Sequence, residues 1–209
     1  MKKPVAAVVA GPAAASEHIS GHVTISASRG QKVAPSDLAN TLVYFVPKER
    51  AAHVRPGRYT IYTHDHDFQP EAMAVPLGST VTFVNLDDVR HNVFSATPGQ
   101  AFDLGYQGAG EKVAHVFGHA GAVQVNCKVH RSMQLSLLVV PSAYRGTVAA
   151  NGDFSLRGLP TGSGTLYFWN PRAELANQSV TLPLRGELKQ SLRMTLPAVT
   201  AELNAQASP

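Results

Sequence analysis

Short runs in which apolar and polar residues alternate recur along the chain, separated by turn residues, and no stretch keeps a helical period. Tyr59-Thr-Ile-Tyr-Thr63 alternates cleanly, and Thr80-Val-Thr-Phe-Val-Asn85 does so after the turn Pro76-Leu-Gly-Ser79, which Ala72 to Val75 precedes. Gly21 to Ile25 and Thr41 to Val46 are expected to pair as the first two strands, joined by a connection rich in Ser, Arg, Gly and Pro. A turn-rich excursion follows Phe94, and strands are expected at Lys112 to Phe117, Ala122 to Asn126 and Leu135 to Val140. Beyond Pro141 the strands shorten: Tyr144 to Val148, Asn151 to Leu156, a Gly158-Leu-Pro-Thr-Gly162 corner, then Thr165-Leu-Tyr-Phe-Trp169. The Asn151-Gly152 pair is the sequence signal of a hairpin with a primed turn. The pattern predicts an all-β protein.

Composition agrees. In 209 residues, 44% hydrophobic content can build a substantial core, while only 15% charged residues and 17 glycines with 14 prolines favour many turns over long solvated helices. The formal net charge is +4, and Lys2 and Lys3 supply half of it, too little for a nucleic-acid partner. Met1-Lys-Lys followed by an alanine-rich apolar run to Ala15-Ser16 has the layout of a secretory signal peptide, interrupted by Pro4, Gly11 and Pro12. Residues 1–16 are therefore expected to be a leader and the chain to be exported to the periplasm. No other run reaches the ~20 apolar residues of a membrane span. The tail 201–209 lacks periodicity and is expected to be disordered.

Candidate chemistry concentrates in Cys127-Lys-Val-His130-Arg-Ser-Met133, which holds the single cysteine, and in His91-Asn92 upstream. A thiolate, two imidazoles and a thioether are the donor set of a blue-copper site, with Cys and two His in a plane and Met axial. Successive strand residues point to opposite faces, so donors this close converge only from a loop. Placing Cys127 at a strand end and His130 and Met133 in the turn that follows satisfies that requirement. Zinc shares the Cys and His preference, but a thioether is a poor donor to it.

The region from about residue 40 to 141 resembles the cupredoxin family, most closely amicyanin, plastocyanin-like and methylamine-utilisation-type copper proteins. The resemblance is carried by His91-Asn-Val-Phe94, Cys127-x-x-His130-x-x-Met133, Phe68-Gln-Pro70, Pro76 to Asn85 and Phe102-Asp-Leu-Gly105. It implies a Greek-key β-sandwich holding one type 1 copper, with His91, Cys127 and His130 equatorial, Met133 axial and Asn92 tying the two ligand loops together. It also implies redox partners: a periplasmic dehydrogenase, a cytochrome or an oxidase, approached at the end carrying His130. Val125, Asn126, Val129 and Arg131 stand where many family members have an aromatic residue or a proline. Residues 142–200 resemble carboxypeptidase regulatory-like β-sandwich modules. The expected organisation is a copper domain at 17–141, with an N-terminal strand extension, and a smaller β-sandwich at 142–200.

The resulting expectation is a carrier of single electrons, not an enzyme, since no catalytic constellation stands out. Two other classes compete. A copper carrier, store or sensor would use the same ligands without electron transfer, and a structural protein would leave Cys127 an inert buried thiol. His64-Asp65-His66-Asp67, if extended, puts two imidazoles on one face, and with His115 and His119 raises the question of a second metal site. Tyr167 and Trp169 could form a ligand platform, although packing between the two domains is the commoner role for such residues.

Overall fold

The computed structural model describes residues 17–27, 32–49 and 54–195. The leader and tail readings lie outside them. In chain order the elements are β1 (Glu17–Ala27), α1 (Pro35–Ala39), β2 (Leu42–Pro47), β3 (Arg58–His64), β4 (Asp67–Gln69), β5 (Ala72–Pro76), β6 (Thr80–Asn85), β7 (His91–Ser95) and β8 (Phe102–Gln107). Then come β9 (Lys112–Val116), β10 (Gly121–Asn126), β11 (Gln134–Val140), β12 (Tyr144–Thr147), β13 (Asp153–Leu159), β14 (Gly162–Trp169), β15 (Ala176–Leu182) and β16 (Leu188–Met194). The fold is all-β, as the alternation predicts, in two sandwiches.

The first sandwich packs the sheet β5-β11-β10-β7-β8 against the sheet β4-β3-β6-β9. Alternation sets its core: Val81 and Phe83 of β6, Val123 and Val125 of β10 and Leu135, Leu137 and Val139 of β11 point inward with Ile61, Phe68 and Phe117. The excursion after Phe94 contains β8, a strand its turn residues disguised. Its burial is intermittent, and it is held by pairing with β7.

The second sandwich packs β13-β1-β16 against β12-β2-β14-β15. Here the expected pairing fails. β1 and β2 lie in different sheets: β1 pairs with β13 antiparallel and with β16 parallel, while β2 pairs with β12 and β14. Both belong to the sandwich that residues 142–200 complete, so the cut at residue 141 is not the division in space. The physical reason is burial. Ile19 and Val23 of β1 are fully enclosed, in one core with Phe154, Leu156 and Leu192. Gly21 lets the next strand approach, since a Cβ there would stand 2.2 Å from the Leu188 carbonyl oxygen. The whole first sandwich is thus inserted between β2 and β12, which are neighbours with Tyr144 opposite Phe45.

The Asn151-Gly152 turn forms where expected but is not a primed hairpin. Gly152 alone has positive φ, at 94°, Ala149 accepts its N–H at 2.8 Å, and β12 and β13 enter different sheets. The primed signature occurs instead at Asp65-His66, with φ of 55° and 61°, closing the β3–β4 hairpin between His64 and Asp67. The 64–67 segment is therefore a tight turn, and His64 and His66 do not share a strand face.

A third apolar cluster joins the sandwiches. Leu138 and Val140 of β11 meet Leu42, with Tyr44, Ala74, Ala122 and Trp169 against them. β11 reads as a nearly unbroken apolar run because both its faces are covered. Arg145 crosses the same seam, donating its Nε–H to the Ala74 carbonyl at 3.0 Å and a second N–H to the Tyr59 hydroxyl, its guanidinium 5.3 Å from the Tyr59 ring centre. Trp169 and Tyr44 pack on this seam, and Tyr167, opposite Tyr44 in the β14–β2 ladder, stacks on it at 4.8 Å.

Candidate metal centre

The β10–β11 ladder ends at Asn126 opposite Gln134, and residues 127–133 turn between the strands. The turn is closed by the Met133 N–H donating to the His130 carbonyl at 3.1 Å. Cys127 therefore sits immediately after the last position fixed by the sheet, 4% exposed, and His130 at the turn, half-buried. His91 opens β7, the strand beside β10, and is fully buried.

These placements bring three donors together. His91 Nδ1 and His130 Nδ1 are 3.2 Å apart, Cys127 Sγ is 3.9 Å from His91 Nδ1, and all three atoms lie within 4.8 Å of one another. An ion about 2.0–2.1 Å from each nitrogen and about 2.3 Å from the sulfur, in a plane, needs N–N near 3.5 Å and N–S near 3.8 Å. The two spacings made by His91, 3.2 Å to His130 Nδ1 and 3.9 Å to Cys127 Sγ, depart from those values by a few tenths of an ångström, and the three donors lie close enough together to share one ion. Met133 is fully buried in the apolar cluster that also contains Cys127. Among the described residues, no other group of three or more His, Cys, Asp or Glu side chains converges in this way.

The neighbouring residues orient these donors. His91 Nε2 faces Asp87 Oδ2 at 2.7 Å, so that nitrogen carries the proton and Nδ1 turns a lone pair toward the cluster. Asp87 in turn accepts the N–H groups of Asp65 at 2.8 Å and His66 at 3.1 Å. Its near-burial works to raise the carboxyl's pKa, but the His66 N–H, the His91 side chain and the Asp65 N–H outweigh this and hold it below the ordinary value. The Asn92 N–H points at Cys127 Sγ from 3.4 Å.

Asn92 does not tie the ligand loops by its side chain directly. Its amide donates to Asp103 Oδ1 and to the Gly105 carbonyl, both at 2.9 Å, and Asp103 in turn pairs with Lys128 of the cysteine loop. The link therefore passes through Asp103. Lys128, then Asn92 and the Gly105 N–H, pull the Asp103 pKa down to about 2. The outer face of His130 meets His66, whose ring centre lies 4.6 Å away. Burial, then the proximity of His66 and His91, lowers the His130 pKa.

The other histidines do different work. His64 pairs with Asp65 at 3.1 Å. His115 stacks on Phe102 at 4.1 Å and meets the edge of Phe117, and burial lowers its pKa. His119 is exposed. The sequence offers His66 in the His64–Asp67 cluster and Asp103 in the Phe102–Gly105 motif without showing what either touches; Asp87 has a local cue, standing four residues before His91 in a polar bend.

No family model and no curated protein matches the chain. Among solved structures, part of it is similar to a purple cupredoxin from Nitrosopumilus maritimus, at 25% identity, covering 39% of this chain and 98% of that one, with a TM-score of 0.35. A copper-containing nitrite reductase from Thermus scotoductus is similar at 26% identity over 41% of this chain and 22% of its own, TM-score 0.38. A reduced Cu(I) amicyanin variant is similar at 22% identity over 47% of this chain and 98% of its own, TM-score 0.38. All three are partial likenesses, and it is the convergence of His91, Cys127 and His130 that makes this end of the first sandwich a candidate metal centre.

Proposed function

We propose that the chain is a type 1 copper protein that carries single electrons between redox partners. Its ligands are His91, Cys127 and His130, with Met133 as the axial fourth. The observation that carries the reading is the meeting of two imidazole nitrogens and one thiol sulfur within 4.8 Å of one another in a largely buried position. A thiolate with two imidazoles and a weak thioether selects copper over zinc or harder ions. Bound copper supplies a one-electron couple.

The chain's part is to hold its donors in place beforehand. Asp87 fixes His91, the Asn92 N–H steadies the Cys127 sulfur, and strand ends anchor both. Donors that barely move between oxidation states limit reorganisation. Four protein donors leave no open position for a substrate, which favours a carrier over an enzyme. His130 is the most exposed of the three converging ligands, so partners such as a dehydrogenase, a cytochrome or an oxidase are expected to approach there. The periplasm is the proposed location; no helix among the described residues is long and apolar enough to cross a membrane. The companion sandwich, whose motifs resemble carboxypeptidase regulatory-like modules, is read as a scaffold.

The test is titration of purified protein with Cu(II), followed by absorption and EPR, beside Cys127→Ala and Met133→Ala. The expected result is an intense visible thiolate-to-copper band with narrow hyperfine splitting that vanishes in Cys127→Ala. Met133→Ala should keep the colour and shift the reduction potential. A pale signal indifferent to Cys127 overturns the reading. An intense band with no reversible redox couple, together with Cu(I) transfer to an acceptor, would move the protein to the carrier class.

A further inference from the structure

Three imidazoles meet at this end of the sandwich, and only two belong to the donor group. The His66 ring lies 4.6 Å from that of His130 with planes at 67°, and 5.9 Å from that of His91 at 77°. Its nitrogens do not join the converging set, so it packs on the donor rings edge to face without completing the site.

The backbone beneath it is unusual. Asp65 and His66 are the only non-glycine residues with positive φ among those described, at 55° and 61°. Glycine is at ease at such a position, and an L side chain is strained. Strain kept beside a functional site points to what the side chain does there.

The two imidazoles of the donor group are also held differently. His91 is fixed from behind by Asp87. His130 Nδ1 faces His91, and its other nitrogen has no protein partner among the described residues; the rings that meet it are those of His66 and His91. A metal-ligating histidine is ordinarily oriented by a hydrogen bond from its second nitrogen. Asp87 supplies that bond to His91 and, through the backbone N–H groups of Asp65 and His66, also pins the turn that holds the third ring.

We propose that His66 is a positioning residue for His130: its ring, presented by a strained primed turn clamped on Asp87, takes the place of the missing hydrogen bond and keeps His130 Nδ1 aimed at the site. The inference rests on the metal-centre reading of His91, Cys127 and His130. One carboxylate thereby organises both imidazoles, directly for His91 and through His66 for His130.

The experiment compares wild type, His66→Gly and His66→Phe. Glycine suits the turn, so the first variant removes the ring without burdening the hairpin, and phenylalanine keeps an aromatic edge. In metal-free protein, NMR should show one sharp set of His130 ring resonances, with cross-peaks to residue 66, in wild type and His66→Phe. In His66→Gly those resonances should shift and broaden. Copper affinity, measured by competition with the Cu(I) chelator bicinchoninate, should fall about tenfold or more in His66→Gly and recover in His66→Phe. Unchanged His130 resonances in His66→Gly overturn the proposal, with or without a change in affinity, as does lack of recovery by phenylalanine. A wild-type protein without the thiolate-to-copper band would overturn the functional reading instead, and the metal-free NMR comparison would still decide the role of His66.

Discussion

The Asp103 carboxylate joins three parts of the site's surroundings: the Asn92 amide and the Gly105 N–H on one oxygen, and Lys128 on the other. Its folded pKa is depressed to about 2 from 3.8, so its contribution is full above the ordinary carboxylate value and is lost as pH falls through about 2. Both Asp103 and Lys128 are exposed, so the effect on global stability is small and the local effect is the one to measure. The Asn92 side-chain amide protons, followed by NMR from pH 5 downward, should move only below pH 3.8, and in Asp103→Asn they should not move. Movement centred on the ordinary carboxylate value would refute the link. At this scale the converging His91, Cys127 and His130 were legible because two of them sit within four consecutive residues and the third beside a distinctive asparagine. The roles of Asp87, Asp103 and His66 were not, because they depend on the signs of φ in a turn and on which strands lie side by side. Neither is written in spacing.

At the scale of elements, the short helix α1 shows how a polar anchor secures a segment with few apolar residues of its own. α1 presents Asp37, whose carboxylate receives Arg172 Nη1 at 2.7 Å and 2.8 Å, while Asn170 donates to the Asp37 carbonyl and to Thr41 Oγ1. Both charges of the pair are largely removed from water. Arg172→Ala would leave Asp37 buried without its partner and should destabilise the fold by about 3 kcal/mol. Urea denaturation checks this, and a change under about 1 kcal/mol would show that water compensates the aspartate. Strands were the readable elements, since alternation is local. Helix α1 was missed because five residues leave no period to detect. Strand β8 was missed because its positions are only partly buried and it is defined by its neighbour β7. The apolar run of β11 announced burial, but not that a second sandwich provides one side of it.

For the whole molecule, the insertion of one sandwich into another is the feature that no local pattern carries. β1 and β2 precede the strands of the first sandwich in sequence, and only the pairing of β2 with β12 and of β1 with β13 and β16 assigns them elsewhere. Because Phe45 faces Tyr144 across the β2–β12 ladder, the two crossing points are adjacent. Removing residues 48–141 and closing the gap with Asn-Gly should leave a β2–β12 hairpin. The shortened chain is expected to fold cooperatively, to bind no copper and to expose the face formed by Leu42, Tyr44 and Trp169, which dye binding would detect. A shortened chain without a cooperative transition would show that the seam, not the second core alone, holds that sandwich together.

The parallel pairing of β1 with β16 places the first and last described strands side by side. Tension applied between them would load that ladder in shear, the direction in which its hydrogen bonds yield together. The inserted sandwich hangs from two neighbouring points and lies outside the path of the force while its host stays folded. Its three converging donors sit beyond the far end of β11, about 20 Å along the strand from the seam. The end of the first sandwich that carries His91, Cys127 and His130 is thus mechanically insulated from strands β1 and β16.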